Sequence, residues 1–239
     1  MDAPPSVDAA PPAPGPPSAF TSVRRLPERA AYDAGTVHAV LDAAMIGHVG
    51  VVRDGRPVVI PMLFGRVGDD LYLHGSVASQ LLRGMGGGIP ACFTATVIDG
   101  LVYARSVFHH SMNYRSVVIV GEATTVHGDE KMRGLRAVVD HITPGRWDEA
   151  RPPNELELRQ TAVLRMPIDE ASAKIRVGGP ADEPEDLALG VWAGHVPVAP
   201  CFAPPVDAAD LRPGVERSAA VVRLVEGPAD RGAIAFRAR

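Results

Sequence analysis

Between "GLVYA" and "VVIVG", residues 100–121, the chain gathers two arginines, three serines, two adjacent histidines, an asparagine and a tyrosine. Arg105, His109, His110, Ser111, Asn113, Tyr114 and Arg115 supply convergent hydrogen-bonding groups, and Phe108, Met112 and Tyr114 supply apolar faces among them. That mixture suits a planar, anionic ligand better than it suits a loop that satisfies its own backbone. Imidazole titrates near neutrality, so His109 or His110 can serve as the proton donor beside a reducible substrate. Neighbouring residues of a strand point to opposite faces, which argues against one metal ion shared by the two histidines. The chain has no HExxH pattern, no Cys/His set and no GxSxG elbow to suggest hydrolytic chemistry.

A second candidate is "LYLHGSVASQLLRG". A strand is expected to end at His74-Gly75, with Ser76 or Ser79 opening a helix and Arg83 one turn further on. Free N–H groups and the positive end of a helix dipole suit a phosphate at such a junction, although serine is also a common N-cap. The glycines of "RGMGGGIP" lack GxGxxG spacing and read as a helix terminus. Trp192, in "LGVWAGHVPV", can cover a cofactor ring or belong to a core or dimer interface.

These residues need a frame. "YDAGTVHAVLDAAMIG" reads as a helix capped by Asp33 and ended by Gly47, with Val37, Val40, Leu41, Ala44 and Met45 on one face. Hairpins are expected around Asp54-Gly55, at the "GDD" turn and at Asp99-Gly100. "SVASQLLRGM" reads as a short helix and "SVVIVGEATTVHG" as a long strand. "DEKMRGLRAVVDHI" is expected to be a helix with Met132, Leu135, Val138, Val139 and Ile142 making its buried stripe, and "TAVLRMPI" and "SAKIRV" complete the strands. Strands joined by short turns, with few helices inserted, indicate a mainly β protein built as a small antiparallel barrel.

Of the 239 residues 46% are hydrophobic, enough for a core, and the net charge of −4 offers nucleic acid no general attraction. Apolar runs are too short for a membrane span, and the amino terminus lacks a signal-peptide pattern. Cys92 and Cys201 form no disulfide framework, and we expect a reducing, cytoplasmic setting. Residues 1–19 read as a disordered Pro/Ala-rich tail, 20–200 as the folded unit, and 201–239 as a weakly ordered extension holding at most one short strand.

In this order the motifs resemble the pyridoxamine 5′-phosphate oxidase-like, FMN-binding split-barrel family, in its nitroimidazole-reductase-like and flavin-nucleotide-binding branch. The likeness rests on "RRLPERAAYD", "VVIPMLFGRVGDDLYLHGSVASQLLR", "DGLVYARSVFHHSMNYRSVVIVGEA", "PGRWDEARPPNELEL", "TAVLRMPIDEASAKIRVGGP" and "DLALGVWAGHVPV". It implies a six-stranded split β-barrel, a homodimer with flavin sites at its interface, and a flavin-dependent oxidoreductase acting on a small molecule. The flavin phosphate would lie near His74, Gly75, Ser76, Ser79 and Arg83, and Ile60, Pro61, Met62 and Leu63 would approach the ring. Arg105, Ser111, Asn113, Tyr114, Arg115 and Trp192 would line the same pocket beside His109 and His110. Ser79 is followed by Gln80-Leu81 where vitamin B6 oxidases carry a basic pair, and "VVIPMLFG" has no lysine, so B6 oxidation itself is not implied. FMN is the expected cofactor, with FAD, a deazaflavin or heme as family alternatives. Two other readings stay open: a flavin carrier or sensor without turnover, and a heme protein using His109 or His110 as axial ligand.

Overall fold

A computed structural model describes residues 14–78 and 87–227. Helix α1 (Ala34–Ala43) opens the folded part, and the Asp33 carboxylate caps it by accepting from the Thr36 N–H at 2.8 Å. Four strands follow: β2 (Gly47–Arg53), β3 (Arg56–Met62), β4 (Phe64–Val67) and β5 (Asp70–Ser76); the two-residue β1 (Ala30–Ala31) precedes the helix. The long pair β6 (Gly87–Tyr103) and β7 (Ser111–Thr125) comes next. Helices α2 (Gly128–Ile142), α3 (Arg146–Glu149) and α4 (Glu155–Gln160) lead into β8 (Thr161–Pro167) and β9 (Ala171–Arg176). Strand β10 (Gly194–Pro197) and helix α5 (Ala219–Glu226) close the chain.

All the described pairings are antiparallel, and the main path runs β3-β2-β6-β7-β8-β5-β4. Its two end strands, β3 and β4, are separated in the chain by Leu63 alone. The sheet must therefore curl until its edges meet, which is a barrel split along the β3/β4 seam. Inside lie Val49, Phe64, Leu71, Leu73, Phe93, Val117, Ile119, Leu164 and Met166, and α1 adds Val37, Val40 and Leu41. Phe64 and Phe93 meet edge to face at 5.0 Å. The fold is mainly β and antiparallel, as the strand spacing indicated. Among the described residues no helix is long and apolar enough to cross a membrane.

Four local expectations change. Asp99-Gly100 is not a hairpin turn: β6 passes straight through it with a bulge between Ile98 and Gly100, because both flanks pair with β7. Gly47 does not end α1 but begins β2, and its missing side chain has another cause. A Cβ there would stand 2.1 Å from the Phe93 ring, so only glycine lets that ring fill the barrel. Val107–His109 forms a 3-10 turn, so strand alternation does not apply to the two histidines. In the carboxy-terminal extension, residues expected to supply a strand form helix α5, started by the Ser218 hydroxyl accepting from the Val221 N–H. The expected helix over "SVASQLLRGM" lies mostly outside the described residues.

Helix α2 lies against the outside of β4, β5 and β8. Two glycines allow the close approach: a Cβ on Gly65 would stand 2.3 Å from the Ala137 backbone, and one on Gly134 would stand 2.6 Å from the Tyr72 ring. Beneath the helix, Tyr72, Val126, Val138 and Val163 form a second core, with Leu135 and Ala137 at its edge.

Candidate functional site

Residues expected to converge on one ligand fall in two regions. On β5, Leu71 and Leu73 point into the barrel, while Tyr72 and His74 point outward beneath α2, as the two-residue strand period requires. His74 opens into a cavity of about 490 Å³ lined by Leu63, Leu135, Val138, Val139, Ile142 and Trp147, with Arg146, Arg151 and Glu157 among its polar residues. Burial lowers the His74 pKa below its ordinary 6.5, which keeps the ring neutral. Its Nδ1 is buried without a hydrogen-bond partner among the described residues. A neutral imidazole in an apolar slot is a ligand group more than an acid.

The α2 stripe explains how the cavity stays open. Its first part, Leu135 and Val138, packs on the second core. Its last part does not: Val139 remains 36% exposed, and with Ile142 it walls the cavity. The opposite wall comes from α3 and α4. Asp140 accepts from the N–H groups of Gly145 and Trp147, each at 3.2 Å, and so turns the chain from α2 into α3. Lys131 donates to the carbonyls of Leu158 and Thr161 at 2.6 Å each, tying α4 to α2. Arg151 forms a two-pronged bond with Glu157, at 2.7 and 2.9 Å, and holds that carboxyl at a pKa of about 2. The sequence reading took Leu135, Val138, Val139 and Ile142 as core and assigned Arg146, Trp147 and Arg151 no role. A stripe longer than the strands beneath it, followed by Arg-Trp, was the available signal.

The second region surrounds the β6–β7 connection. Arg105 donates to Asp182 through its backbone N–H at 2.7 Å and its guanidinium at 2.8 Å, and the Asp182 side chain is only 2% exposed. Arg115 makes a two-pronged bond with Asp99 at 2.7 and 2.9 Å. Asn113 accepts from Arg176 at 2.5 Å, and burial lowers the pKa of that arginine. Ser111 and Tyr114 lie on β7, opposite Val102 and Ile98. Nδ1 of His110 lies 3.0 Å from the Ser106 carbonyl, which can only accept, so the neutral ring carries its proton there and leaves Nε2 as an acceptor. His109 faces Glu183 at 3.6 Å. Tyr103 touches both His110 and Trp192, at 5.6 and 5.9 Å between ring centres, and so links the tryptophan to this region. Phe108 and Trp192 are 86% and 66% exposed.

Ile60 and Met62 on β3 are half-buried against the barrel core, while Pro61 and Leu63 are exposed at the seam. At the end of β5 the Ser76 hydroxyl accepts from the Ala78 N–H at 3.1 Å, and the Val77 N–H donates to the Gln160 carbonyl at 3.0 Å. Ser79 and Arg83 lie outside the described residues. Gly75 lies between His74 and Ser76 at the end of β5.

Comparison with known proteins bears on the family and the fold. The family model for pyridoxamine 5′-phosphate oxidase matches residues 33–175. The structure of the flavocytochrome Anf3 from Azotobacter vinelandii is 38% identical, covers 88% of this chain and 98% of its own, and superposes with a TM-score of 0.82. That of the FAD- and heme-binding protein from Mycobacterium smegmatis is 37% identical, covers 82% and 97%, and gives 0.79. A candidate 5-nitroimidazole antibiotic resistance protein from Bacteroides thetaiotaomicron shares the fold at 22% identity, 61% and 86% coverage, and 0.51. No curated protein matches the chain. With the split barrel, the α1-to-β9 segment and two relatives aligned over nearly their whole length all in agreement, the chain belongs to the pyridoxamine 5′-phosphate oxidase family.

Proposed function

We propose that this protein is a flavin- and heme-binding oxidoreductase, in which the cavity beneath α2 would hold heme and His74 would be the residue that binds its iron. The observation that carries the reading is the cavity itself: an apolar slot with one neutral imidazole and two guanidiniums at its polar side. Among the described residues no group of three or more His, Cys, Asp or Glu side chains could hold a bare metal ion. A single imidazole suffices for heme, because the porphyrin supplies the other ligands. Two relatives that are 37–38% identical, a flavocytochrome and an FAD- and heme-binding protein, support the same assignment.

Heme supplies a one-electron couple and flavin a hydride or electron couple. The chain's own contribution is placement and shielding. Leu63, Leu135, Val138, Val139 and Ile142 give the His74 side an apolar lining. Arg146 and Arg151 offer charge to carboxylates, and Arg151 is held in position by Glu157. At the other side of β5, Gly75 and Ser76 with Ser79 are the candidates for the flavin phosphate, and Ile60 to Leu63 for its ring. FAD is the flavin of the mycobacterial relative and is our choice here. The exposed Val107, Phe108 and Trp192 support a second copy of this chain completing the flavin pocket. His110, with Nδ1 held by Ser106, offers Nε2 to a substrate proton.

Titration of the purified protein with hemin and with FAD tests this reading. Hemin should give a Soret band that His74→Ala removes while FAD binding persists, and the Ser76→Ala, Ser79→Ala pair should weaken only the flavin. Hemin taken up by His74→Ala with an unchanged Soret band would sink the assignment.

A further inference from the structure

The carboxy-terminal helix has no part in the barrel, yet it meets the wall of the His74 cavity. Helix α3 carries Arg146 and Trp147 into that wall and Glu149 at its far end. The Glu149 carboxylate accepts from the Ser218 hydroxyl and, at 2.9 Å, from the Ala220 N–H, both at the start of α5. Ala220 is buried in the contact. Arg223, one turn on, reaches the α2–α3 turn: a Cβ at Gly145 would stand 3.2 Å from its guanidinium. Between β10 and α5 the chain runs as an almost wholly exposed connection. Glu149 thus places a carboxylate at the positive end of a helix that is otherwise reached by a long, weakly held strand of chain.

We propose that α5 is a latch on the cavity. Glu149 is its positioning residue: by holding Ser218 and Ala220 it keeps α3, and with it Arg146 and Trp147, closed over whatever the cavity holds, and so sets how slowly that ligand leaves. The inference rests on the reading that the cavity binds hemin only for the identity of the ligand. A four-residue helix between two loops cannot keep its own position, because so short a segment is marginal without tertiary contacts. Asp140 fixes its start and Arg136 holds Asp148 at 2.5 Å, while Glu149, which also pairs with Arg146 at 3.5 Å, is the residue that faces α5.

The test uses the full chain with Glu149→Ala, Glu149→Gln and Ser218→Ala. Two readouts are taken: transfer of hemin to excess apomyoglobin, and acrylamide quenching of Trp147 in a Trp192→Phe background without hemin. Glu149→Ala should release hemin roughly tenfold faster, the effect of losing a hydrogen bond to a charged group, with the Soret position unchanged because His74 is untouched. Glu149→Gln keeps an accepting oxygen and should fall between it and the wild type. Trp147 should become more accessible to quencher in step with the release rates. Release and quenching both unchanged in Glu149→Ala and Ser218→Ala would overturn the latch. Increased quenching in a protein that takes up no hemin would uphold the latch and remove the heme reading instead.

Discussion

The cavity beneath α2 and the open end around His109 and His110 both tie arginines to carboxylates within the chain, and they differ in where their apolar side chains lie. At the open end the polar groups are engaged within the chain. Arg105 is committed to Asp182, Arg115 to Asp99 and Asn113 to Arg176, while the apolar Phe108 and Trp192 face outward. In the cavity the apolar side chains form the lining, and His74 Nδ1 has no hydrogen-bond partner among the described residues, as Arg105 Nε has none at the open end. A cavity formed between elements of one chain shows a largely apolar lining around a single imidazole. A region that needs a second surface shows outward apolar groups on a framework already tied together.

The sharpest way to break this comparison is at Asp99. If the Asp99–Arg115 pair is framework, Asp99→Ala leaves a guanidinium only 8% exposed without its main partner, and stability should fall by roughly 3 kcal/mol in a denaturant titration. An unchanged midpoint together with altered flavin affinity would instead make Arg115 a ligand group. A second effect separates the regions by pH. The His74 pKa is depressed by burial, so its neutral form is favoured in the folded state. Below the ordinary 6.5 the unfolded chain takes up a proton that the folded one refuses, and this stabilising share shrinks as pH falls, until the depressed folded pKa is passed. Hemin affinity should therefore hold through pH 6.5 and decline only below it, by about tenfold per pH unit once His74 itself protonates. Loss of affinity already above 6.5 would point to a different ligand. The smallest effect is expected from His109→Ala with His110→Ala. Hemin affinity should stay within about twofold, inside the usual range for distant, independent sites, and loss of the Soret band in that pair would move the heme to the open end.

Much of the frame was legible before any coordinates. Asp33 as a cap, Asp54-Gly55 as a turn and the α2 stripe all follow from local chemistry, because caps, left-handed turns and helical periodicity depend on residues close in sequence. Asp54 and Gly55 have φ of 49° and 72°, the left-handed pair that a two-residue hairpin requires. Asp99-Gly100 has the same sequence signature and a different outcome. There the pairing of β6 with β7 on both sides outweighs the turn preference, and the extra residue is absorbed as a bulge. The Tyr103 ring, which touches both His110 and Trp192, carries no local mark in the sequence, because such a contact is made by segments far apart in the chain.

The sequence by itself determined the mainly β, antiparallel character, the Asp33 cap, the Asp54-Gly55 turn and the family to which the chain belongs. Tertiary structure alone decided which face of β5 carries His74, and that the last turn of the α2 stripe would stand over an empty width of sheet rather than a packed one. It also decided that a helix more than sixty residues further along the chain than α3 would close on the wall of that space. The reason is physical. Local preferences act over a few residues, whereas a cavity is the place where several elements, each satisfied in itself, fail to meet.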